Sequence, residues 1–269
     1  DEFIARGGTY VDTAFVYHNG CSEPALRQAL VERYPREAFT LATKCLAWAC
    51  ASKEEAQACL PTSLERLGVD YIDYYLLHNL GGARTAKFDE YDMWNYVAKA
   101  KADGLIRHVG FSMHDGADVL DELLAAHPEV DFVQLQVNYL DWDDPVTQSA
   151  RCMEVAAKHG VPVIIMEPVR GGRLANLPER GAAVLAEADP GASQASWAYR
   201  FCLDLPGVLA VLAGASSLEQ MQDNMRTFQT HQPLNEQERA AIDGAIAALR
   251  SVDLIPCTNC GYCVKDCPE

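Results

Sequence analysis

Four residues near the start of the chain have side chains that together can reduce or oxidise a carbonyl group. Asp12 and Tyr17 lie in the segment VDTAFVYHNG, Lys44 ends FTLATK, and His78 ends YIDYYLLH. An ammonium group stabilises a nearby phenolate, and a carboxylate holds that ammonium in place, so a tyrosine can release a proton near neutral pH. An imidazole can orient the carbonyl oxygen or relay its proton. The set predicts a site that protonates a carbonyl while a hydride arrives at carbon.

Each of these four residues also has an ordinary structural explanation. Taken singly, such a residue is more often packed in the interior or solvated in a loop than part of a site. A functional site is favoured because all four follow or end predicted strands, where they would converge in one pocket.

Four cysteines lie together in the last segment, CTNCGYCVKDCPE. Cys257, Cys260, Cys263 and Cys267, followed by Pro268, have the spacing that binds [4Fe–4S] clusters in bacterial ferredoxins. A four-thiolate zinc site and a redox or structural thiol cluster are the alternatives. In two-cluster ferredoxins the fourth cysteine serves the other cluster, and the sequence has no second run. We therefore expect the first half of a ferredoxin-like segment, with the natural protein continuing further.

The elements that must position the candidate residues are seven short β-branched or apolar runs. These runs are mostly continuous rather than alternating, which is typical of strands buried on both faces of a parallel sheet. Helical patterns lie between them, and successive strands start about thirty residues apart, the length of one βα unit. The predicted strands are 8–14, 39–44, 71–78, 106–112, 132–138, 161–168 and 208–215.

One helix can be delimited in detail. Ser52 is its predicted N-cap, and Glu55, three residues later, completes a capping box. Pro61 inside the pattern predicts a kink or a restart, and Gly68 predicts the end.

Seven βα units fit either a doubly wound sheet or an eight-stranded barrel that lacks one strand. We favour the barrel, because residues 1–8 have the pattern of the end of a helix directly before the first strand. The predicted fold is an α/β (β/α)8 barrel over residues 1–250, without its first strand in this sequence. The start of the ferredoxin-like segment follows over 251–269. In such barrels the chemistry lies at the C-terminal ends of the strands.

Composition restricts the partners. The 269 residues carry a formal net charge of −16, which disfavours nucleic acid and anionic membrane surfaces. No apolar run reaches membrane-spanning length, and the N-terminus lacks a signal-peptide pattern. We expect a cytoplasmic protein whose scattered cysteines are small buried thiols: Cys21, Cys45, Cys50, Cys59, Cys152 and Cys202.

The segments DTAFVYHNG, LATK, LLHN, IRHVGFSMHD, LQVNY and GASSLEQMQDN resemble the aldo-keto reductases. The resemblance implies a (β/α)8 barrel that binds a nicotinamide dinucleotide in extended form, without a Rossmann domain. It also implies a catalytic tetrad of Asp12, Tyr17, Lys44 and His78, in which Tyr17 is the proton donor. The chain is similar to members that carry a ferredoxin-like tail, so a [4Fe–4S] cluster is expected in the full-length protein.

The resemblance further implies a set of cofactor contacts. Ser112 and Gln136 match positions that hydrogen-bond the carboxamide of the nicotinamide. The loop 170–174 is either a flexible turn or a contact to the pyrophosphate. The remaining predicted contacts, in that loop region and after the last strand, are Glu167, Arg170, Gly214, Ser216, Gln220, Asp223 and Asn224.

Three positions depart from the family pattern. Met113 replaces an asparagine that meets the carboxamide in many members, and the segment 166–168 (MEP) replaces an aromatic residue under the nicotinamide ring. Gln220 stands where many members have an arginine on the 2′-phosphate, which removes a charge-assisted contact. The resemblance favours NADP(H), with NAD(H) as the alternative.

The leading functional hypothesis is therefore a nicotinamide-dependent reductase or dehydrogenase that acts on a small carbonyl or alcohol. One alternative is an iron–sulfur electron-transfer protein that is coupled to a redox partner protein. The other is a regulatory or binding subunit that retains the cofactor but has little catalysis.

Overall fold

The computed structural model of the chain describes residues 1–251. The segment 252–269, with the four predicted cluster cysteines, lies outside the described residues. The strands are β1 (Tyr10–Asp12), β2 (Thr40–Cys45), β3 (Ile72–Leu80), β4 (Ile106–Met113), β5 (Phe132–Gln136), β6 (Val163–Met166) and β7 (Val208–Val211). The α-helices are α1 (Glu2–Ala5), α2 (Ser22–Leu26), α3 (Lys53–Leu67), α4 (Thr85–Glu90), α5 (Met93–Ala102), α6 (Ala117–Ala126), α7 (Ser149–His159), α8 (Glu179–Ala188), α9 (Gln194–Leu203), α10 (Leu218–Gln229) and α11 (Glu236–Arg250).

The seven strands form one parallel sheet in sequence order, β1 to β7, and each is hydrogen-bonded to the next. The sheet is a nearly closed barrel that is open between β1 and β7. A cavity of about 400 Å³ lies at this opening, against Val11 of β1 and Val211 of β7. Each of the seven predicted strands is present, and the predicted barrel is confirmed.

The barrel interior is a small apolar layer that the strands build without the helices. Ala42, Leu76, Phe132 and Ile164 pack there, one from each of four strands. The strands approach closely at Gly110, where an added Cβ would lie 2.4 Å from the carbonyl oxygen of Phe132. The opposite faces of the strands pack against the surrounding helices in the main core. The two-sided burial explains the continuous apolar runs in the sequence.

Helix α3 begins after Ser52 and ends at Gly68 as its sequence predicts, but the predicted capping box is incomplete, because the Glu55 carboxylate accepts from the Ala51 N–H instead of from that of Ser52. The Ser52 hydroxyl accepts a hydrogen bond from the Glu55 N–H at 3.3 Å, and Gly68 ends the helix in the left-handed conformation, with φ of 70°. The predicted restart at Pro61 is wrong, because the helix runs through it without interruption. Proline removes one backbone hydrogen bond there, and burial of neighbouring residues such as Leu60 and Ser63 against the barrel stabilises the turn.

The six cysteines within residues 1–251 are all free thiols. The expectation of buried thiols is confirmed for Cys45, Cys59, Cys152 and Cys202, whereas Cys21 is exposed and Cys50 is partly exposed. Over the same residues, no helix combines the length and apolar character that a membrane span requires.

Candidate active site

The polar site follows from the two-residue period of the strands. Side chains two positions apart in a strand point to the same face. Lys44, His78 and Gln134 each come two residues after an interior residue, and Asp12 comes two residues after Tyr10. These side chains therefore form a polar layer above the apolar interior, at the C-terminal ends of the strands.

A buried ion pair is the centre of this layer. The Lys44 ammonium is fully buried; it donates to Oδ1 of Asp12 and to the carbonyl oxygen of Thr13 at 2.8 Å. The other carboxylate oxygen of Asp12 accepts from Nε2 of Gln134 at 3.1 Å. An ion pair with satisfied hydrogen bonds keeps both charges in place in an interior of low dielectric.

Tyr17 covers this ion pair from the loop that follows β1. The Lys44 Nζ lies 4.9 Å from the centre of the Tyr17 ring, and the ring of His78 lies 5.8 Å from the same centre in an edge-on arrangement. Tyr17 is 38% exposed, and its hydroxyl makes no hydrogen bond within residues 1–251. The phenol is thus free to meet a ligand while its ring stays over a buried cation.

His78 is an uncharged imidazole at neutral pH. Burial, followed by the nearby positive charge of Lys44 and the neighbouring His114, lowers the pKa of its ring to about 3. The indole N–H of Trp48 donates to the backbone carbonyl of His78 at 3.0 Å and fixes the end of β3. The ring therefore serves as a neutral hydrogen-bonding group rather than as a source of protons.

These side chains open into a cavity of about 530 Å³. Asp12, Tyr17 and His78 line one end of it. The loop after β6 and the start of α10 line much of the rest. Five of the predicted cofactor contacts are on this wall: Glu167, Gly214, Ser216, Gln220 and Asn224.

The start of α10 holds the far end of the cavity in shape. The helix is N-capped by Ser217, and the side-chain oxygen of Gln220 accepts from the Ser216 N–H at 2.7 Å. Asn224 donates from Nδ2 to the carbonyl oxygen of Gly214 at 3.2 Å. These bonds tie the loop after β7 to the first turns of the helix.

The other four predicted cofactor contacts are not among the residues that line this cavity. Ser112 is buried, and its hydroxyl accepts from the Asn79 N–H at 2.9 Å. Gln136 and Arg170 both bind the carboxylate of Asp141, which is part of a separate hydrogen-bond network. Asp223 accepts from Ser193 and faces a different surface pocket.

Several residues at this end of the barrel have strained backbone conformations. His18, Asn79, Glu167 and Arg170 all have positive φ angles, between 50° and 60°. Such conformations cost about 1–3 kcal/mol each and persist where the surrounding structure requires them, often at functional sites. Asn79 lies next to the end of β3, and the other three lie in the loops that follow β1 and β6.

Two residues of the site were missed in the sequence. Gln134 could have been found, since it lies two residues before Gln136 on the same face of β5. His114 lies beyond the end of β4, where strand periodicity no longer predicts direction. Both line the cavity.

The barrel and its polar mouth define an oxidoreductase class, and comparisons identify the family. The profile of the aldo/keto reductase family matches residues 1–247. An aldo-keto reductase of Mycolicibacterium vanbaalenii is 32% identical over 243 residues, which cover 90% of this chain and 80% of that protein. The chain belongs to the aldo/keto reductase family and is an NAD(P)H-dependent oxidoreductase.

Solved structures agree with this assignment. The holo form of aldo-keto reductase AKR11C1 from Bacillus halodurans superposes with a TM-score of 0.72 at 27% identity, covering 91% of this chain and 85% of that chain. An aldo-keto reductase from Klebsiella pneumoniae in complex with NADPH gives 0.70 at 25% identity, covering 89% and 80%. The predicted family and enzyme class are confirmed.

Proposed function

We propose that the chain transfers a hydride between a nicotinamide dinucleotide and a small carbonyl or alcohol substrate, with Tyr17 as the proton donor. One observation carries the proposal: a buried Asp12–Lys44 ion pair lies directly beneath the Tyr17 ring, beside the neutral His78, at the end of an open cavity. The family's activity on small carbonyl compounds supports the substrate class.

The residues present fit a dinucleotide. The cavity of about 530 Å³ is of the size that small-molecule sites have, and it extends from Tyr17 to the N-terminus of α10. Helix N-termini favour phosphate groups, and the exposed first turn of α10 lies at the wall of the cavity. The nicotinamide supplies the hydride when it is bound.

The protein's own contribution is to move a proton. Lys44 stabilises the phenolate that forms as Tyr17 releases its proton to the carbonyl oxygen. Asp12 holds Lys44 in position, and Gln134 holds Asp12 through its second oxygen. A neutral His78 can hydrogen-bond the carbonyl oxygen without competing as an acid, because its pKa is about 3.

We propose further that the 2′-phosphate adds little to cofactor binding, so that NADH serves about as well as NADPH. The segment 214–224 at the far end of the cavity contains no lysine or arginine. Glu219, in the first turn of α10, has a pKa lowered by the backbone N–H groups at the helix start and by Ser217, so it adds a negative charge there. The nearest arginine along the helix, Arg226, pairs with Asp223 on another surface.

Gln220→Arg is expected to lower KM for NADPH about tenfold relative to KM for NADH, because one charge-assisted contact to a phosphate is gained. Steady-state oxidation of both cofactors, followed at 340 nm with the same aldehyde, measures the change. The matched control is Gln222→Arg, which adds the same charge to a side chain that bonds Glu2. A wild-type chain that already prefers NADPH a hundredfold contradicts the proposal.

For residues outside the described part, the proposal rests on sequence spacing. Cys257, Cys260, Cys263 and Cys267 are proposed to bind a [4Fe–4S] cluster, in keeping with the ferredoxin spacing. Within residues 1–251 there is no cluster of cysteine, histidine and carboxylate side chains that could hold a metal ion. Iron and acid-labile sulfide in the purified full-length protein test this, and the lack of both contradicts it.

If the cluster forms, exchange of electrons with a redox partner protein is the second candidate function. The cytoplasmic location remains a prediction, and the free thiols of residues 1–251 are consistent with a reducing environment.

A further inference from the structure

A second histidine lines the cavity beside His78. His114 follows the last residue of β4, and its ring is exposed to the cavity. It lines the same cavity as His78, and the two rings are neighbours there. The family resemblance assigned no role to this position.

A chain of hydrogen bonds determines which nitrogen of His114 carries the proton. Arg170 donates from Nε to both oxygens of the buried Asp141, at 2.8 and 3.1 Å, so both oxygens act as acceptors. Gln136 donates to the same carboxylate from Nε2 at 2.8 Å, because a carboxylate can only accept. The amide oxygen of Gln136 therefore faces His114 Nδ1 at 3.1 Å and accepts from it.

This network leaves one free acceptor in the cavity. With its proton on Nδ1, the uncharged His114 ring has an unprotonated Nε2, and this atom has no hydrogen-bond partner among residues 1–251. The network is rigid because Asp141 is only 2% exposed and is also bonded to Nδ2 of Asn138 at 2.9 Å. The orientation of the ring is thus set from the protein interior.

The two residues predicted to bind the nicotinamide carboxamide are already engaged. The Gln136 amide bonds both His114 and Asp141, and the Ser112 hydroxyl accepts from the Asn79 N–H, so neither presents an acceptor without a partner. A carboxamide carries N–H groups, and burying such a donor without an acceptor is unfavourable. His114, whose Nε2 is without a partner in the described part of the chain, follows β4 directly and bonds Gln136 at the end of β5, next to both of these residues.

We propose that His114 Nε2 accepts a hydrogen bond from the carboxamide N–H of the bound nicotinamide. Gln136 and Asp141 are then positioning residues that fix the tautomer of His114. The inference rests on the proposed nicotinamide site and names a residue that recognises the amide group within it.

A binding experiment with two dinucleotides isolates this contact. NAD⁺ carries the carboxamide, whereas 3-acetylpyridine adenine dinucleotide has a methyl ketone without the N–H. The wild-type chain is expected to bind NAD⁺ about tenfold more tightly than the analogue, the worth of one hydrogen bond. His114→Phe is expected to bind the two within twofold of each other. Titration of the protein fluorescence measures both dissociation constants without turnover.

Two further variants test whether another acceptor can replace His114 and whether loss of a distant histidine has any effect. His114→Asn supplies an amide oxygen as a substitute acceptor and is expected to retain part of the preference for NAD⁺. His159→Phe removes a histidine that pairs with Asp121 away from the cavity, and is expected to leave both constants unchanged.

The outcomes separate this inference from the proposed function. A wild-type chain that binds neither dinucleotide overturns the proposed function and this contact with it. Binding of both with equal affinity by the wild type, or an unchanged preference in His114→Phe, overturns the contact alone.

Discussion

Tyr17→Phe is expected to lower kcat for carbonyl reduction about 10³-fold, because general acid catalysis contributes on this order and phenylalanine has no proton to give. The affinity for NAD(P)H is expected to stay within about twofold of wild type, since the ring that covers Lys44 is retained. Stopped-flow or steady-state turnover and fluorescence titration measure the two quantities on the same protein.

The matched control for this substitution is Tyr34→Phe. The hydroxyl of Tyr34 bonds Asp1 on the surface, away from the cavity, so its removal is expected to leave kcat unchanged. Unchanged turnover in Tyr17→Phe would show that another group supplies the proton.

Asp12→Asn is expected to cost about 3–5 kcal/mol of unfolding free energy, the usual penalty for leaving a buried charge without its partner. Lys44 is fully buried, and Thr13 would supply its only remaining acceptor from the protein backbone. Turnover should fall as well, because the ammonium is no longer held beneath Tyr17. Urea unfolding measures the loss of stability, as a lower unfolding midpoint with an unchanged m-value.

The control is Asp121→Asn, which breaks an ion pair on the surface instead of the buried one. Asp121 pairs with Lys158, and both side chains are exposed, so the loss of unfolding free energy is expected to be much smaller than for Asp12→Asn. A cost below about 1 kcal/mol for Asp12→Asn as well would mean that the buried pair is not electrostatically coupled in the folded state.

The fold could be predicted because parallel strands buried on both faces leave a local signal. The seven apolar runs became strands, with boundaries that differ by a few residues, and the cap at Ser52 and the stop at Gly68 formed as predicted. The helix restart predicted at Pro61 is wrong because packing of α3 against the barrel outweighs the loss of one helical hydrogen bond.

The site was predictable where it follows strand ends and less so where it depends on long-range partners. Asp12, Lys44 and His78 end or nearly end their strands, and the barrel brings them together. The position of Arg170 depends on Asp141, a residue 29 positions earlier whose burial has no sequence signal. An ion pair between residues so far apart in sequence, and the orientation of His114 that depends on it, can be determined only from the folded structure.

The most direct test of the central claim follows the hydrogen itself. The wild-type chain is incubated with NADPH deuterated at both C4 positions of the nicotinamide and an aromatic aldehyde, and the alcohol is analysed by mass spectrometry. Direct hydride transfer predicts one deuterium on the carbinol carbon of each product molecule, in ordinary water. An alcohol whose new carbon-bound hydrogen comes from the solvent, or the absence of any alcohol, would contradict it.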